Sequence, residues 1–208
     1  MEFFKNYFRN LLTRKSKLSL ALDLIIVLLA VFIMIPPTRK GTIALVLKPT
    51  LFIYQPSLLK QPIPLFTTTQ EWHLRTLSGD TCTLADFAGK PTLIHYWASW
   101  CAPCLAEMGQ FSSLYADYAE KVNFVFVTNE KRADVVNFVK RKNLELPVYL
   151  PIKKYPEQLS TNTLPVTFLI DSDGNILMRK SGMAQWNGQK MRAILDAMLA
   201  HPQTENAN

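Results

Sequence analysis

The stretch Trp97-Ala98-Ser99-Trp100-Cys101-Ala102-Pro103-Cys104, residues 97–104, decides how this chain folds. Its two cysteines are separated by two residues, a spacing at which a small reversible disulfide can close. The apolar residues 92–97 are typical of a buried strand, and residues 105–118 are typical of a helix. A cysteine at such a strand-to-helix junction lies at a helix N-terminus, where the dipole and free N–H groups favour the thiolate. Because thiolates attack disulfides, the stretch indicates redox chemistry.

Charge is unevenly distributed along the 208 residues. The net charge is +7, of which residues 1–40 carry +5 (seven Lys/Arg against two acidic residues) and residues 41–208 carry +2. The larger part of the chain is therefore nearly balanced, which argues against nucleic-acid binding. Three cysteines cannot build a disulfide scaffold, and the three scattered histidines give no zinc spacing, so we expect no metal.

An almost continuously apolar run covers residues 18–35, and as a helix it would be about 27 Å long, close to the hydrocarbon thickness of a bilayer. It predicts a transmembrane helix, interrupted only by the charge of Asp23 near its start. Five Lys/Arg precede it, which makes residues 1–17 a cytoplasmic basic segment and places the later chain outside the cytoplasm. A cleaved signal peptide is the alternative, but its apolar region would be shorter and would end at a small-x-small site.

Residues 36–61 form a proline-rich tether in this interpretation. Its apolar middle, residues 42–54, leaves two alternatives open: a segment that packs on the domain surface, or a second membrane span that would return the cysteines to the cytoplasm. Lys48-Pro49 interrupts the run and disfavours the span.

Residues 62–200 read as one α/β domain, and residues 201–208 as a flexible tail. Alternation predicts a hairpin at residues 72–77 and 81–84, and a second one at residues 166–170 and 176–180. Three strands are predicted between the hairpins, at 92–97, 122–127 and 147–150, and two helices, at 105–118 and 132–142. Short helical turns are predicted at 84–87 and 155–159, and a closing helix follows the second hairpin. This order predicts a mixed sheet with helices on both faces and an added N-terminal hairpin.

Four sequence features resemble the membrane-anchored TlpA/ResA-like thiol-disulfide oxidoreductases of bacteria, which have the thioredoxin fold. They are WASWCAPC at 97–104, the entry hairpin LSGDTCTL at 77–84, LPVTFLID at 164–171, and Glu107 three residues after Cys104. The resemblance covers roughly residues 62–199. It implies a redox-active disulfide between Cys101 and Cys104 as the only reactive group, with no further cofactor.

The resemblance also implies roles for the site residues. Cys101 would be the exposed nucleophile, and Cys104 would be buried and resolve the mixed disulfide; an inert structural disulfide is the alternative. Pro165 would be cis and lie against the sulfurs, with an ordinary trans proline as the alternative. The substrate-binding residues would be Trp100, Ala102, Pro103 and Leu164.

Two polar residues are candidates for proton handling. His95 stands where thioredoxins carry a buried Asp, and it would accept or relay the proton of Cys104; a core imidazole bonded to backbone is the alternative. Glu107 lies on the helix face of Cys104, with a solvated carboxylate as the alternative. We expect Cys82 to be a buried, inert thiol.

Together these features predict a membrane-tethered periplasmic enzyme of the bacterial inner membrane that reduces disulfides in exported proteins. In the family such substrates often include apocytochrome c. The oxidising compartment requires an electron supply, which the resemblance implies is a membrane donor of the DsbD/CcdA type. Pro103 stands where many oxidases carry His, which favours a reductant. The alternatives are a disulfide oxidase or isomerase with the same site, and a thioredoxin-like copper-handling or binding module.

Overall fold

The computed structural model describes residues 17–34, 43 and 45–200. The chain divides into two compact units after Ile43. The predicted segment 1–17, apart from its last residue, the tail 201–208 and much of the N-terminal part of the tether lie outside the described residues.

The described part of the first unit is dominated by the helix α1 (Lys17–Met34). Its leucine, isoleucine and alanine residues are compatible with a helix throughout, and no proline or glycine interrupts it. Among the helices within the described ranges, none is long and apolar enough to cross a membrane, so the predicted span at residues 18–35 stays a prediction.

A single mixed sheet of eight strands organises the second unit. In chain order they are β1 (Ile63–Pro64), β2 (His73–Thr76), β3 (Thr81–Thr83), β4 (Thr92–Tyr96), β5 (Asn123–Val127), β6 (Val148–Pro151), β7 (Val166–Ile170) and β8 (Asn175–Ser181). Their order across the sheet is β1-β8-β7-β4-β5-β6-β2-β3. The pairs β4–β5 and β5–β6 are parallel, and the remaining neighbours are antiparallel. The predicted mixed sheet is confirmed.

Helices connect and cover these strands. They are α2 (Thr67–Gln70), α3 (Ala102–Tyr118), α4 (Arg132–Lys142) and α5 (Gln189–Ala200), with 3₁₀ turns at Lys48–Phe52, Leu84–Phe87 and Glu157–Leu159. The helix α3 begins three residues before the predicted position, because Cys101 acts as its N-cap and Pro103 fits its first turn. The helix predicted at 132–142 has the predicted bounds and ends at Asn143 in the left-handed conformation (φ 48°).

Both predicted hairpins are present. β2 and β3 form the added N-terminal hairpin, which joins the sheet edge through pairing of β2 with β6. β7 and β8 form the second hairpin, and its turn places Gly174 at φ +85°, a conformation that favours glycine. Asp171 Oδ1 accepts the backbone N–H groups of Asp173 and Asn175 and so fixes this turn.

The three long helices of the second unit, α3, α4 and α5, pack on one face of its sheet, and only short helical turns cover the other face, which corrects the prediction of helices on both faces for the long helices. Buried residues of α3, α4 and α5 form one core cluster with Leu93, Phe124 and Leu169. The opposite face, with Ile94 and Phe168, is covered by irregular segments and short turns. The cause is the strand order: β4, β5 and β6 follow one another in one direction, so right-handed crossovers put α3 and α4 on the same side.

Part of the predicted tether packs on the second unit. The 3₁₀ turn Lys48–Phe52 lies against α3, and Leu51 is only 2% exposed. Further along, the Leu59 N–H donates to the carbonyl of Leu177 in β8. The described residues of this segment thus match the alternative in which it packs on the domain surface.

Candidate redox site

The two cysteines of the CxxC stretch form a disulfide at the start of α3. The Cα atoms of Cys101 and Cys104 are 5.3 Å apart, and Cys101 is the N-cap residue of the helix. Cys104 is fully buried, as the resemblance implied, but Cys101 is only 4% exposed. The expectation of an exposed Cys101 is therefore wrong for the disulfide form, because its sulfur is drawn into the first turn of the helix and packs in the core cluster with Trp97 and Ala98.

The first turn of α3 supplies a hydrogen-bond donor to the nucleophilic sulfur. The backbone N–H of Cys104 donates to Cys101 Sγ at 3.2 Å. After reduction, the same donor and the positive end of the helix dipole would stabilise a thiolate on Cys101. Pro103 has no N–H, but this costs no hydrogen bond here, because the first N–H groups of a helix have no acceptor within the helix.

Pro165 directly precedes β7, at the end of the sheet where the CxxC stretch begins. The Leu164–Pro165 peptide bond is cis, as the resemblance implied. β7 pairs antiparallel with β4, and Tyr96 lies opposite Val166. Pro165 therefore lies at the end of β4 from which the chain enters the CxxC stretch.

The predicted substrate-binding residues differ in exposure. Trp100 is 59% exposed directly before Cys101, whereas Leu164, Ala102 and Pro103 are half-buried. An exposed indole beside a disulfide offers an apolar surface to an incoming peptide.

His95 and Glu107, predicted separately, face each other in the core. His95 Nε2 lies 3.5 Å from Glu107 Oε1, and both side chains are fully buried. Neither atom has another hydrogen-bond partner among the described residues. The alternative of a solvated Glu107 is therefore wrong, and so is a His95 bonded only to backbone.

Neighbouring residues hold both side chains in place. His95 Nδ1 lies 2.9 Å from Thr167 Oγ1, across the β4–β7 pair. Glu107 Oε2 accepts hydrogen bonds from Trp186 Nε1 at 3.0 Å and from the Ala184 N–H at 3.2 Å. Each of the two groups is thus fixed at one atom and presents its other atom to its partner.

Burial decides where the proton of this pair resides. It raises the pKa of Glu107 to about 8, against the weaker opposing effects of the bonds from Trp186 and Ala184 and of the charge of Lys180. Burial also lowers the pKa of His95 to about 3. At neutral pH the pair is therefore uncharged, with Glu107 protonated and His95 neutral.

This pair lies on the same side of α3 as the buried cysteine. Glu107 follows Cys104 by three residues, so the two side chains share a helix face, and both are fully buried. A carboxyl that ionises near pH 8 can accept a thiol proton, since thiols ordinarily titrate in the same range.

Sequence reasoning missed three site residues. Thr167 and Trp186 hold the buried pair. Glu130 binds the segment before Cys101: its carboxylate accepts the Ser99 N–H and the Ser99 hydroxyl, each at 2.6 Å. Only the position of Glu130 after an apolar strand could have suggested it, because parallel strands end at the same edge of a sheet.

Cys82 stands apart from this site. It is a free thiol, half-buried in β3, and its pKa is raised by burial and by the nearby charge of Asp86. A raised pKa makes the thiol less reactive. The expectation of a buried thiol is met only in part, because Cys82 is half-buried. Within the described ranges, no three His, Cys, Asp or Glu side chains converge on a metal site.

The fold and the site together define a protein of thioredoxin-like architecture with a CxxC disulfide. A model of the AhpC/TSA family matches residues 59–179, more than half of the chain. The chain belongs to this family.

Named relatives agree with the resemblance drawn from the sequence. The chain is 36% identical over 111 residues to the thiol-disulfide oxidoreductase ResA of Bacillus thuringiensis subsp. konkukian, covering 51% of this chain and 63% of that protein. It is 33% identical over 110 residues to the thioredoxin-like protein YneN of Bacillus subtilis, covering 51% and 65%. The chain thus spans less than two thirds of the length of these relatives.

A solved structure matches the fold over more of the chain. A putative thiol:disulfide interchange protein DsbE from Chlorobium tepidum superposes with a TM-score of 0.57 and 24% identity, covering 68% of this chain and 99% of that one. At this identity the likeness shows the shared fold, and the predicted thioredoxin-like architecture is confirmed.

Proposed function

We propose that this protein is a membrane-tethered thiol-disulfide oxidoreductase that reduces disulfides in exported proteins. The observation that carries the proposal is the Cys101–Cys104 disulfide at the N-terminus of α3, where Cys101 is 4% exposed and Cys104 is fully buried. The similarity to ResA over about half of the chain supports the same activity.

The reaction follows from the positions of the two sulfurs. In the reduced protein, the Cys101 thiolate attacks a client disulfide, which forms a mixed disulfide and releases one client thiolate. Cys104 then loses its proton and attacks Cys101 Sγ. The protein disulfide closes, the second client sulfur leaves as a thiolate, and two electrons have passed to the client.

The His95–Glu107 pair serves the second step in this proposal. Cys104 has no contact with water, so its proton needs an acceptor inside the protein. In the fraction of molecules in which Glu107 is ionised, which grows as the pH approaches about 8, the carboxylate takes the Cys104 proton and becomes a neutral acid beside neutral His95. The pair thus supplies a buried base without a permanently buried charge.

Pro103 supports the direction of electron flow. A histidine at this place near the helix start, when protonated, would stabilise the Cys101 thiolate and make the disulfide more oxidising. Pro103 carries no charge, so the dithiol form gains less stabilisation and the pair is a better reductant.

The proposed location rests on the N-terminal sequence. The apolar residues 18–35 follow five basic residues, and apolar side chains of α1 such as Leu24 and Ile26 are exposed. We place the domain in the periplasm, where a membrane dithiol donor of the DsbD/CcdA type would regenerate the reduced protein. Clients would be exported proteins with cysteine pairs, apocytochrome c among them.

A trapping experiment tests the function. The full-length Cys104→Ser variant cannot resolve the mixed disulfide and should accumulate client adducts on Cys101, and the Cys101→Ser/Cys104→Ser variant is the matched control. Adducts absent from both would contradict the proposal. A topology reporter fused after Asn208 tests the location, and a cytoplasmic signal would contradict it.

A further inference from the structure

A short segment before the domain reaches the residues that hold Glu107. Residues 48–54, here called the strap, comprise the 3₁₀ turn Lys48–Phe52 and the two residues after it. The turn lies against α3, and Leu51 is 2% exposed, although it belongs to the segment predicted to be a proline-rich tether. A fully buried leucine fixes the strap on the domain.

The strap is bonded to the loop that covers the Glu107 carboxyl. The carbonyl of Tyr54 accepts a hydrogen bond from the Gln185 N–H at 2.7 Å. Gln185 stands between Ala184 and Trp186, which both donate to Glu107 Oε2. This loop is therefore held by Glu107 on one side and by the strap on the other.

A second contact involves a cation that acts on the same carboxyl. Lys180 Nζ lies 5.8 Å from the centre of the Tyr54 ring, within the range of a cation–π interaction. The charge of Lys180 favours the ionised form of Glu107 and lowers its pKa. Tyr54 thus contacts both the loop and the cation that influence Glu107.

We propose that the strap is a positioning element of the redox site: Leu51 and Tyr54 hold residues 184–186 over Glu107 and so set the pH at which Cys104 can resolve the mixed disulfide. This inference rests on the proposed function and adds to it residues outside the CxxC stretch that set the pH dependence of the resolution step. In this role Leu51 and Tyr54 act through the loop, since the Tyr54 carbonyl accepts the Gln185 N–H.

The direction of the effect follows from the groups around Glu107. His95 faces it from β4, Lys180 acts on it from β8, and Cys104 shares its face of α3. Burial is the largest influence on the Glu107 pKa. Loosening the strap would admit water past Ala184 and Trp186, so the pKa would fall toward its ordinary value.

The test uses the full-length protein with Leu51→Ala, which empties the buried side of the strap. Amide hydrogen exchange at Gln185 reports the bond to Tyr54, and we expect exchange about tenfold faster than in the wild type. The second readout is the pH dependence of oxidation of the reduced protein by glutathione disulfide. Its inflection near pH 8 should move by about one unit to lower pH.

Matched variants separate positioning from a general loss of stability. Leu51→Met keeps the buried volume and should restore both readouts, and Ile53→Ala, at a side chain 75% exposed, should leave both unchanged. If Leu51→Ala does not fold, Leu51→Val gives the same comparison with a smaller effect.

Two outcomes would overturn the inference. Either Gln185 keeps its protection in Leu51→Ala, or it loses protection while the pH inflection stays in place. Failure of the Cys104→Ser trap would instead count against the proposed function, and the exchange rate at Gln185 does not depend on that result.

Discussion

Glu107 and His95 form a buried pair in which Oε1 and Nε2 are 3.5 Å apart and neither side chain reaches solvent. Two fully charged groups at this depth would each lose several kcal/mol of hydration. The uncharged pair avoids that cost, because Glu107 stays protonated and His95 stays neutral at neutral pH. The pair therefore holds one proton in the core, on Glu107, which follows Cys104 by one helical turn.

The wild type should lose stability as the pH rises from 6.5 to 8, and the Glu107→Gln variant should not. In the folded wild type the carboxyl keeps its proton up to about pH 8, whereas in the unfolded chain it ionises near its ordinary pKa of 4.5. The unfolded state thus binds fewer protons in this range, and stability from this group falls as pH rises. Between pH 4.5 and 6.5, neutral His95 contributes the opposite slope, since its pKa drops from 6.5 to about 3 on folding.

From pH 6.5 to 8 only the Glu107 contribution remains, and we expect a loss of about 2 kcal/mol in the free energy of unfolding. Urea denaturation at pH 6.5 and 8 measures it, and Glu107→Gln should show a nearly flat response. An equal slope in both proteins would contradict the raised pKa.

Replacing His95 by Ala should slow the resolution step. The variant removes the acceptor of the Glu107 proton, and we expect the intramolecular step to fall by about tenfold or more. Rapid-quench analysis of the mixed disulfide with glutathione across pH 6–10 measures this rate. His95→Gln, which keeps a polar acceptor, should lose less than His95→Ala. An unchanged pH–rate profile in His95→Ala would show that this residue takes no part in proton transfer.

Thr167 should determine the tautomer of His95. With Thr167 accepting from Nδ1–H, the proton of the neutral ring stays on Nδ1 and leaves Nε2 as an acceptor. Thr167→Val removes this acceptor and should cost about 1 kcal/mol of stability. Nitrogen-15 chemical shifts of the ring should show the Nδ1–H form in the wild type and in Thr167→Ser, and a loss of that preference in Thr167→Val. Finding the Nε2–H form in the wild type would refute this assignment.

Glu130 should stabilise the segment that leads into the CxxC stretch. Its carboxylate accepts two bonds from Ser99 and a third from the Thr128 hydroxyl at 3.1 Å. Because Glu130 is half-buried and water can replace part of these bonds, Glu130→Ala should cost about 1 kcal/mol and speed amide exchange at Ser99. The exposed Glu145→Ala is the control and should stay within about 0.5 kcal/mol of the wild type. Equal effects of the two substitutions would show that the bonds to Ser99 contribute nothing.

Much of the secondary structure could be predicted because apolar patterns, capping residues and turn residues that are close in sequence indicate the same elements. The apolar run before Cys101, the capping cysteine and Pro103 predict a strand, a turn and a helix, and all three are present. The turn at Gly174 and the helix Arg132–Lys142 follow from equally local patterns.

The remaining features depend on the order and register of strands that are distant in sequence. The His95–Glu107 contact requires that His95 point to the face that α3 covers, and Thr167 reaches it only through the β4–β7 register. The distribution of the helices depends on where β6 lies in the sheet, which alternation along one strand does not reveal. Glu130 contacts Ser99 across 31 residues, so no local motif marks it.

The reduction potential of the Cys101–Cys104 pair decides whether the protein can act as a reductant. The protein is equilibrated with defined ratios of reduced and oxidised glutathione, and the fraction of disulfide is measured by alkylation of free thiols. A reductant should have a potential nearer to about −270 mV, as in thioredoxin, than to about −120 mV, as in the strong oxidant DsbA. A value near about −120 mV would contradict the proposed function, because the pair would then oxidise client thiols rather than reduce client disulfides.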